Sequence, residues 1–277
     1  AGLAVLGTTD PSTVEILSST LTENIAIGFG GAIDAFSNSQ VSVANSTISG
    51  NQAGNGGGIT VGDDSSLDLT LATISGNTAQ SAGGGLYLSS NGEAGLANSI
   101  VSGNDAAFDR EIGDFTSAPV FLTYNILGHG GIDSVQAFGS LIITAGNLLA
   151  TNDASNIALG AILDTTLADN GGPTFTHALV SDSPAIDFVA SADCAAPPID
   201  TQDQRGEPRN QNGNNTPSSD ECDAGAYEFA VVQPTATPST TPSATASPTG
   251  MPTASPTAVG TVQPPGNERN FLPFTTR

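Results

Sequence analysis

Ile48-Ser-Gly-Asn51, Ile74-Ser-Gly-Asn77 and Val101-Ser-Gly-Asn104 are three copies of one phrase, set 26 and 27 residues apart. A looser copy ends at Asn24, 27 residues before Asn51. Each copy leads into a small-residue bend and an aliphatic pair, Ile33/Ala35, Ile59/Val61 and Leu86/Leu88. A second pair follows, Val41/Val43, Leu67/Leu69 and Ala94/Leu96. A fixed period in this range means one supersecondary unit stacked on copies of itself.

The units are made of strands. No run carries the 3.6-residue period that a helical solenoid needs. Leu67, Leu69 and Leu71 alternate instead with Ser66, Asp68 and Thr70, so the three leucines are expected to share one buried face. Gly30-Gly31, Gly56-Gly57-Gly58 and Gly83-Gly84-Gly85 break these stretches. A helix would lose about 1 kcal/mol at each glycine, whereas a tight corner uses the positive φ that glycine allows. The fold expected is an all-β, parallel β-helix of 26–27-residue coils over residues 1–104. Irregular coils and a cap are expected over 105–230, with Ile112, Phe115, Val120, Leu122 and Leu141-Ile142-Ile143 in short strands, and a disordered Pro/Thr/Ser-rich stalk over 231–277.

Aligning the copies gives inward columns Val14/Val41/Leu67/Ala94, Ile16/Val43/Leu69/Leu96 and Leu21/Ile48/Ile74/Val101. With coils about 4.8 Å apart each column is a continuous aliphatic stack. Fully burying one such side chain contributes roughly 1.5–3 kcal/mol. Asn24, Asn51, Asn77 and Asn104 form a column of different chemistry. Identical amides at strand spacing hydrogen-bond up the stack, so an asparagine ladder is expected at this corner. A row of ligand-binding amides is the other reading of the same column.

Charge narrows the function. The 277 residues carry 27 acidic side chains against five arginines and no lysine, a formal charge of −22. Nucleic-acid binding by phosphate neutralisation and docking on anionic lipid are both excluded on that balance. No apolar run is long enough to span a membrane. An acidic surface rich in Ser, Thr, Asn and Gly suits an extracellular or cell-surface setting. Ala1 to Gly7 lacks the basic start and length of a signal peptide. Leu3 and Val5 align with Ile33 and Ala35, with extra residues before Val14, so the chain is expected to open in mid-coil as part of a longer solenoid. Its uncapped first coil would offer an edge for end-to-end association.

Cys194 and Cys222 are the only cysteines. In an exterior protein they are expected to pair, closing a loop of about 28 residues and contributing roughly 3–4 kcal/mol. From residue 233 the composition turns to Pro, Thr, Ser and Ala, which cannot bury a core and reads as an extended stalk.

Four motifs carry a family resemblance: Leu167-Ala-Asp-Asn-Gly-Gly-Pro-Thr-Phe-Thr-His-Ala-Leu179, Ser183-Pro-Ala-Ile-Asp187, Asp203-Gln-Arg-Gly206 with Arg209, and Cys222-Asp-Ala-Gly-Ala-Tyr-Glu228. Their order over roughly residues 100–229 resembles the choice-of-anchor Q domain, a C-terminal module of secreted bacterial right-handed parallel β-helix proteins. The resemblance implies right-handed coils, an extracellular setting and a capping role. Read from the residues themselves, Arg205 and Arg209 are the cations available to Asp187, Asp203, Asp223 and Glu228, and forks between them would tie loops over the last coil. His177 reads as a packed strand residue and His129 as a turn residue.

The function expected is a non-enzymatic adhesin, or a module binding a glycan or cell-surface partner. The alternative is a polysaccharide lyase or glycoside hydrolase of the pectate-lyase-like type. A lyase needs a base and a hydrolase needs two carboxylates across a cleft. The outward column Glu15/Ser42/Asp68/Gly95 offers Glu15 and Asp68 as the catalytic candidates, two coils apart. The outward column Ala4/Asp34/Thr60/Tyr87 shows one carboxylate, and neither column is expected to hold a raised carboxylate or, beyond Tyr87, a flanking aromatic platform. No cofactor is expected. Calcium is the one metal considered, because Asp63-Asp64 with Asp68 and the stretch 210–223 are rich in oxygen ligands, though neither has the glycine bend of a calcium loop.

Overall fold

The computed structural model describes residues 1–7, 10–195, 197–209, 211 and 221–230. Ala1–Gln233 forms one compact unit; the second, Pro234–Arg277, lies outside the described residues, and with it almost all of the expected stalk. Most of the polar stretch 210–223 is outside them too.

The described chain is a parallel β-solenoid of about six turns, built on three long sheets and a two-stranded one of Gln52–Ala53 and Thr78–Ala79. The first sheet stacks Leu3–Leu6, Ile33–Phe36, Ile59–Val61, Leu86–Ser89 and Ile112–Phe115. The second stacks Ser12–Leu17, Ser39–Ala44, Ser66–Thr70, Glu93–Ala97 and Val120–Thr123. The third carries Thr20–Thr22, Thr47–Ser49, Thr73–Ser75, Ile100–Val101, Ile126–Leu127 and Leu148–Leu149. Every ladder in these sheets is parallel, and the aligned aliphatic columns are in register: Leu3/Ile33/Ile59/Leu86/Ile112, Val14/Val41/Leu67/Ala94/Val120 and Leu21/Ile48/Ile74/Val101/Leu127. Together they form one continuous core.

Glycine sets the closest approach between coils. A Cβ on Gly57 would lie 2.5 Å from the carbonyl oxygen of Gly84 in the next coil. Gly30, Gly56 and Gly83 hold one corner column at φ of 54°, 63° and 66°, where a side chain would be strained.

Three expectations are corrected. Leu71 does not share the inward face of Leu67 and Leu69. It occupies a corner at φ 49° and packs outside the coil with Ala44, Ile100 and Ile126. Leu141-Ile142-Ile143 forms no strand; Leu141 and Ile143 pack on the core and Ile142 is exposed, while the strand of that turn is Leu148–Leu149. Nor do the Arg205 and Arg209 loops lie over the last coil.

The end of the core is closed by a short helix, Ser134–Phe138, with Asp133 and Gln136 forming a capping box at its start. Its Ala137 and Phe138 join the core, and its backbone accepts hydrogen bonds from Arg110 and Glu111, just before the strand Ile112–Phe115. The chain then turns back. The described residues between 157 and 229 run along the flank of the third sheet, where Leu163, Leu179, Ala185, Val189, Ile199 and Ala224 cover Ala44, Leu71, Ile100 and Ile126 in a second apolar cluster.

Candidate functional site

The asparagine column is a ladder. Each Nδ2 donates to the Oδ1 of the next residue, Asn24 to Asn51 at 2.9 Å, Asn51 to Asn77 at 2.8 Å and Asn77 to Asn104 at 2.9 Å. Each Oδ1 also accepts a backbone N–H from the coil before, and Nδ2 of Asn51, Asn77 and Asn104 gives its second hydrogen to a carbonyl, Leu21, Ile48 or Ile74. With both sides of the amide engaged, the three buried asparagines have no group left for a ligand. A ladder of donors must end on an acceptor. Glu111 supplies it, taking Asn104 Nδ2 at 2.8 Å, the Asn104 N–H at 3.2 Å and the Gly103 N–H at 2.8 Å. Burial raises its carboxyl to about 7 despite these donors. His129 Nε2 lies 3.9 Å away, itself held below its ordinary value by burial. A second column, Ser46/Ala72/Ser99/Asn125/Asn147, stacks at another corner and is polar over its last three members, with Asn125 Nδ2 2.9 Å from Asn147 Oδ1.

The outward faces hold the candidates for chemistry. Glu15, Ser42, Asp68, Gly95 and Phe121 share one column of the second sheet. Glu15 and Asp68 are both exposed, with Ser42 between them. Gly95 leaves a slot one coil beyond Asp68, in which exposed Phe121 forms the far wall of a shallow depression of about 190 Å³. No cation lines it, and exposed Asp68 is its one carboxylate.

The first sheet shows more than its sequence suggested. Phe36, Phe29, Tyr87 and Phe115 form a continuous strip, with ring centroids 5.8 Å, 6.2 Å and 5.3 Å apart in that order. The reading of Tyr87 as a lone aromatic on this face is corrected. Phe29 comes from the bend before the strand, while Phe36 and Phe115 come from its end and fold over glycines. A Cβ on Gly62 would sit 2.8 Å from the Phe36 ring, and one on Gly113 3.1 Å from Phe115. Those two glycines were the available signal. Asp34 lies on the same face, between Ala4 and Thr60 in register. Its Oδ1 is buried without a hydrogen-bond partner, and burial pushes the carboxyl above its ordinary value. The expectation that neither outward column holds a raised carboxylate is therefore corrected as well.

The flanking layer absorbs the remaining sequence candidates. Arg205 forks Asp203, Nε and Nη2 both reaching Oδ2 at 2.8 and 2.7 Å, and lies over the Tyr227 ring at 3.7 Å. Arg209 is wholly buried: it grips Asn45 Oδ1 at 2.6 Å and the carbonyls of Asp223 and Gly225 at 3.1 and 2.8 Å, with Glu228 at 3.6 Å. Burial, then mutual repulsion with Glu228, raises Asp223 to about 8; burial raises Glu228 to about 7. Asp187 donates its backbone N–H to Asp223 at 2.8 Å. Cys194 and Cys222 are disulfide-bonded with Cα atoms 5.9 Å apart.

His177 joins the layer to the coils through a serine that sequence reading did not single out. Its Nδ1 faces the Asp164 carbonyl at 2.8 Å, which only accepts, so the neutral ring takes a hydrogen bond from Ser49 at Nε2, also 2.8 Å. This resembles a nucleophile and base. Both groups are buried, and no carboxylate side chain orients the imidazole, so the pair acts as a tie between layer and coil.

No group of three or more metal-ligating side chains is present among the described residues, and among them no helix is long and apolar enough to cross a membrane. No protein-family model, no curated protein and no solved structure matches the chain.

Proposed function

We propose that this chain is a non-enzymatic binding module of the cell exterior, a β-solenoid that presents its outer face to a glycan or a glycan-bearing partner. The observation that carries the reading is the aromatic strip Phe36–Phe29–Tyr87–Phe115 beside Asp34. Aromatic faces stack on the apolar faces of sugar rings. The placement outside the cell rests on the lysine-free acidic composition and on the resemblance of residues 100–229 to the choice-of-anchor Q domain, which also implies right-handed coils. The test is binding of the chain to xylan, β-glucan and chitosan by isothermal calorimetry. Tyr87→Ala with Phe115→Ala is expected to weaken the strongest of these by at least about tenfold. Equal binding by that variant overturns the reading.

One observation favours the hydrolase alternative: a general acid requires a carboxyl raised above its ordinary value, and burial shifts Asp34 in that direction. Its column, Ala4/Asp34/Thr60/Tyr87/Gly113, supplies no second carboxylate to serve as base or nucleophile. Release of reducing ends that is abolished in Asp34→Asn would establish the enzyme in place of the binding module.

A further inference from the structure

Between the first and second sheets runs a cleft of about 400 Å³ lined by Asn38, Gln40, Asp64, Ser66, Asn91 and Glu93. These residues form two rows. Gln40, Ser66 and Glu93 are in strand register on three successive coils, all pointing outward from the second sheet. Asn38, Asp64 and Asn91 repeat at the corner before those strands, where the corner backbone itself is stacked, Asn38 N–H on Asp63 and Asp64 N–H on Ser90. The cleft is therefore a rail parallel to the solenoid axis, carrying a hydrogen-bonding side chain on both sides at every coil.

Its chemistry is selective. The six side chains are amides, a hydroxyl and carboxylates, with no cation among them. A single hydrogen bond joins them, Asn91 Nδ2 to Asp64 Oδ1 at 3.1 Å; Asn38, Gln40 and Glu93 spend none of their groups on the protein. The corner also retains side chains at some cost. Asn38, Asp64 and Asn91 sit at φ of 61°, 60° and 62°, the region that other corner columns of this chain fill with glycine.

We propose that this cleft binds an uncharged or amino-bearing glycan chain laid along the solenoid axis, one sugar unit per coil. The proposal rests on the binding function proposed above and adds a site and a direction to it. Coil spacing of about 4.8 Å is close to the length of one pyranose unit in an extended chain, so successive sugar units meet successive coils and the rows on either side. Amides and carboxylates between them both donate to and accept from sugar hydroxyls. Asp64 and Glu93 repel a uronate at the same positions. The first-sheet column that ends in Phe36 and Phe115 immediately precedes this corner in the chain, so strip and rail adjoin.

The experiment uses the intact chain and xylo-oligosaccharides from two to six units, with a galacturonate hexamer as the charged control. Affinity is expected to rise with length and level off once the three coils are spanned, and the galacturonate is expected not to bind. Gln40→Ala with Asn91→Gly removes one side chain from each row; glycine accepts the left-handed backbone and both residues are exposed, so the unfolding midpoint should stay unchanged. That variant is expected to lose at least about tenfold in affinity for the hexamer. Wild-type affinity in that variant, together with loss in Tyr87→Ala, would place the sugar on the aromatic strip alone and overturn the rail while leaving the binding module standing. Failure of the wild-type chain to bind any oligosaccharide, or equal binding of the galacturonate, would overturn the proposed ligand class, and the former would remove the binding reading with it.

Discussion

Asn77 shows how much of the fold hangs on one side chain. Its Oδ1 accepts from Asn51 Nδ2 and the Asn51 N–H, and its Nδ2 donates to Asn104 and to the Ile48 carbonyl. Substitution by alanine strands these partners in a place water does not reach, and each buried group left unpaired costs about 1–3 kcal/mol. Asn77→Ala should therefore destabilise the chain by several kcal/mol, read as a lower urea midpoint with little change in slope. Asn24, at the half-buried end of the same ladder, should cost about 1 kcal/mol or less as alanine. An Asn24→Ala loss equal to that of Asn77→Ala would show that the amides act singly, without a ladder. The ladder was legible in sequence because four identical residues recur at one period. Glu111 was not, because it stands once, seven residues beyond Asn104, and only the folded corner brings its carboxylate under the last amide.

At the scale of elements, the coils and the flanking layer are held by different chemistry. Coils stack through aliphatic columns that repeat and can be aligned by eye. The layer binds through single contacts between distant residues, Thr47 with Gln204, Ser49 with His177, Asn45 with Arg209 and Thr73 with the Ala226 N–H. No periodicity announces such pairs, so the partners of Arg209 and the flank position of residues 157–229 were beyond sequence reading. Leu71 escaped for a related reason: alternation predicts an inward side chain, but a left-handed corner turns it out to meet the layer. Arg209 is the layer's most buried tie. Arg209→Ala leaves Glu228 and Asn45 without it, and breaking a buried pair typically costs about 3–5 kcal/mol. The expected result is local: hydrogen-exchange protection should fall across residues 157–229 while the amides of Ile48, Ile74 and their ladder neighbours keep theirs. Uniform loss of protection in both regions would mean that layer and coils fold as one cooperative unit.

For the whole molecule, burial of acidic groups in an already acidic chain makes pH the controlling variable. Glu111, Asp223 and Glu228 are raised to about 7, about 8 and about 7, each mainly by burial. A carboxyl whose folded value exceeds its unfolded one stabilises the fold fully below the unfolded value and loses that contribution as pH rises through the folded one. His129 and His177 work in the opposite sense: burial lowers both, so their contribution is lost as pH falls below the ordinary value of 6.5. Between 6.5 and about 8 the folded imidazoles are neutral and the unfolded ones shed their remaining protons, a smaller and opposing contribution, while the buried carboxyls titrate in the folded chain. Stability should therefore fall with rising pH across that window, by on the order of 2 kcal/mol, as the folded state surrenders protons that the unfolded state no longer holds. Urea unfolding at several pH values within the window checks this. A flat or rising profile would mean that Glu111 and the Asp223–Glu228 pair are ionised in the fold at neutral pH. Glu111→Gln separates the contributions, because the amide cannot ionise. It forfeits one hydrogen bond to the Gly103 corner, lowering stability at every pH, yet its profile should be shallower than that of the wild type, with the residual slope belonging to the carboxyl pair beside Arg209.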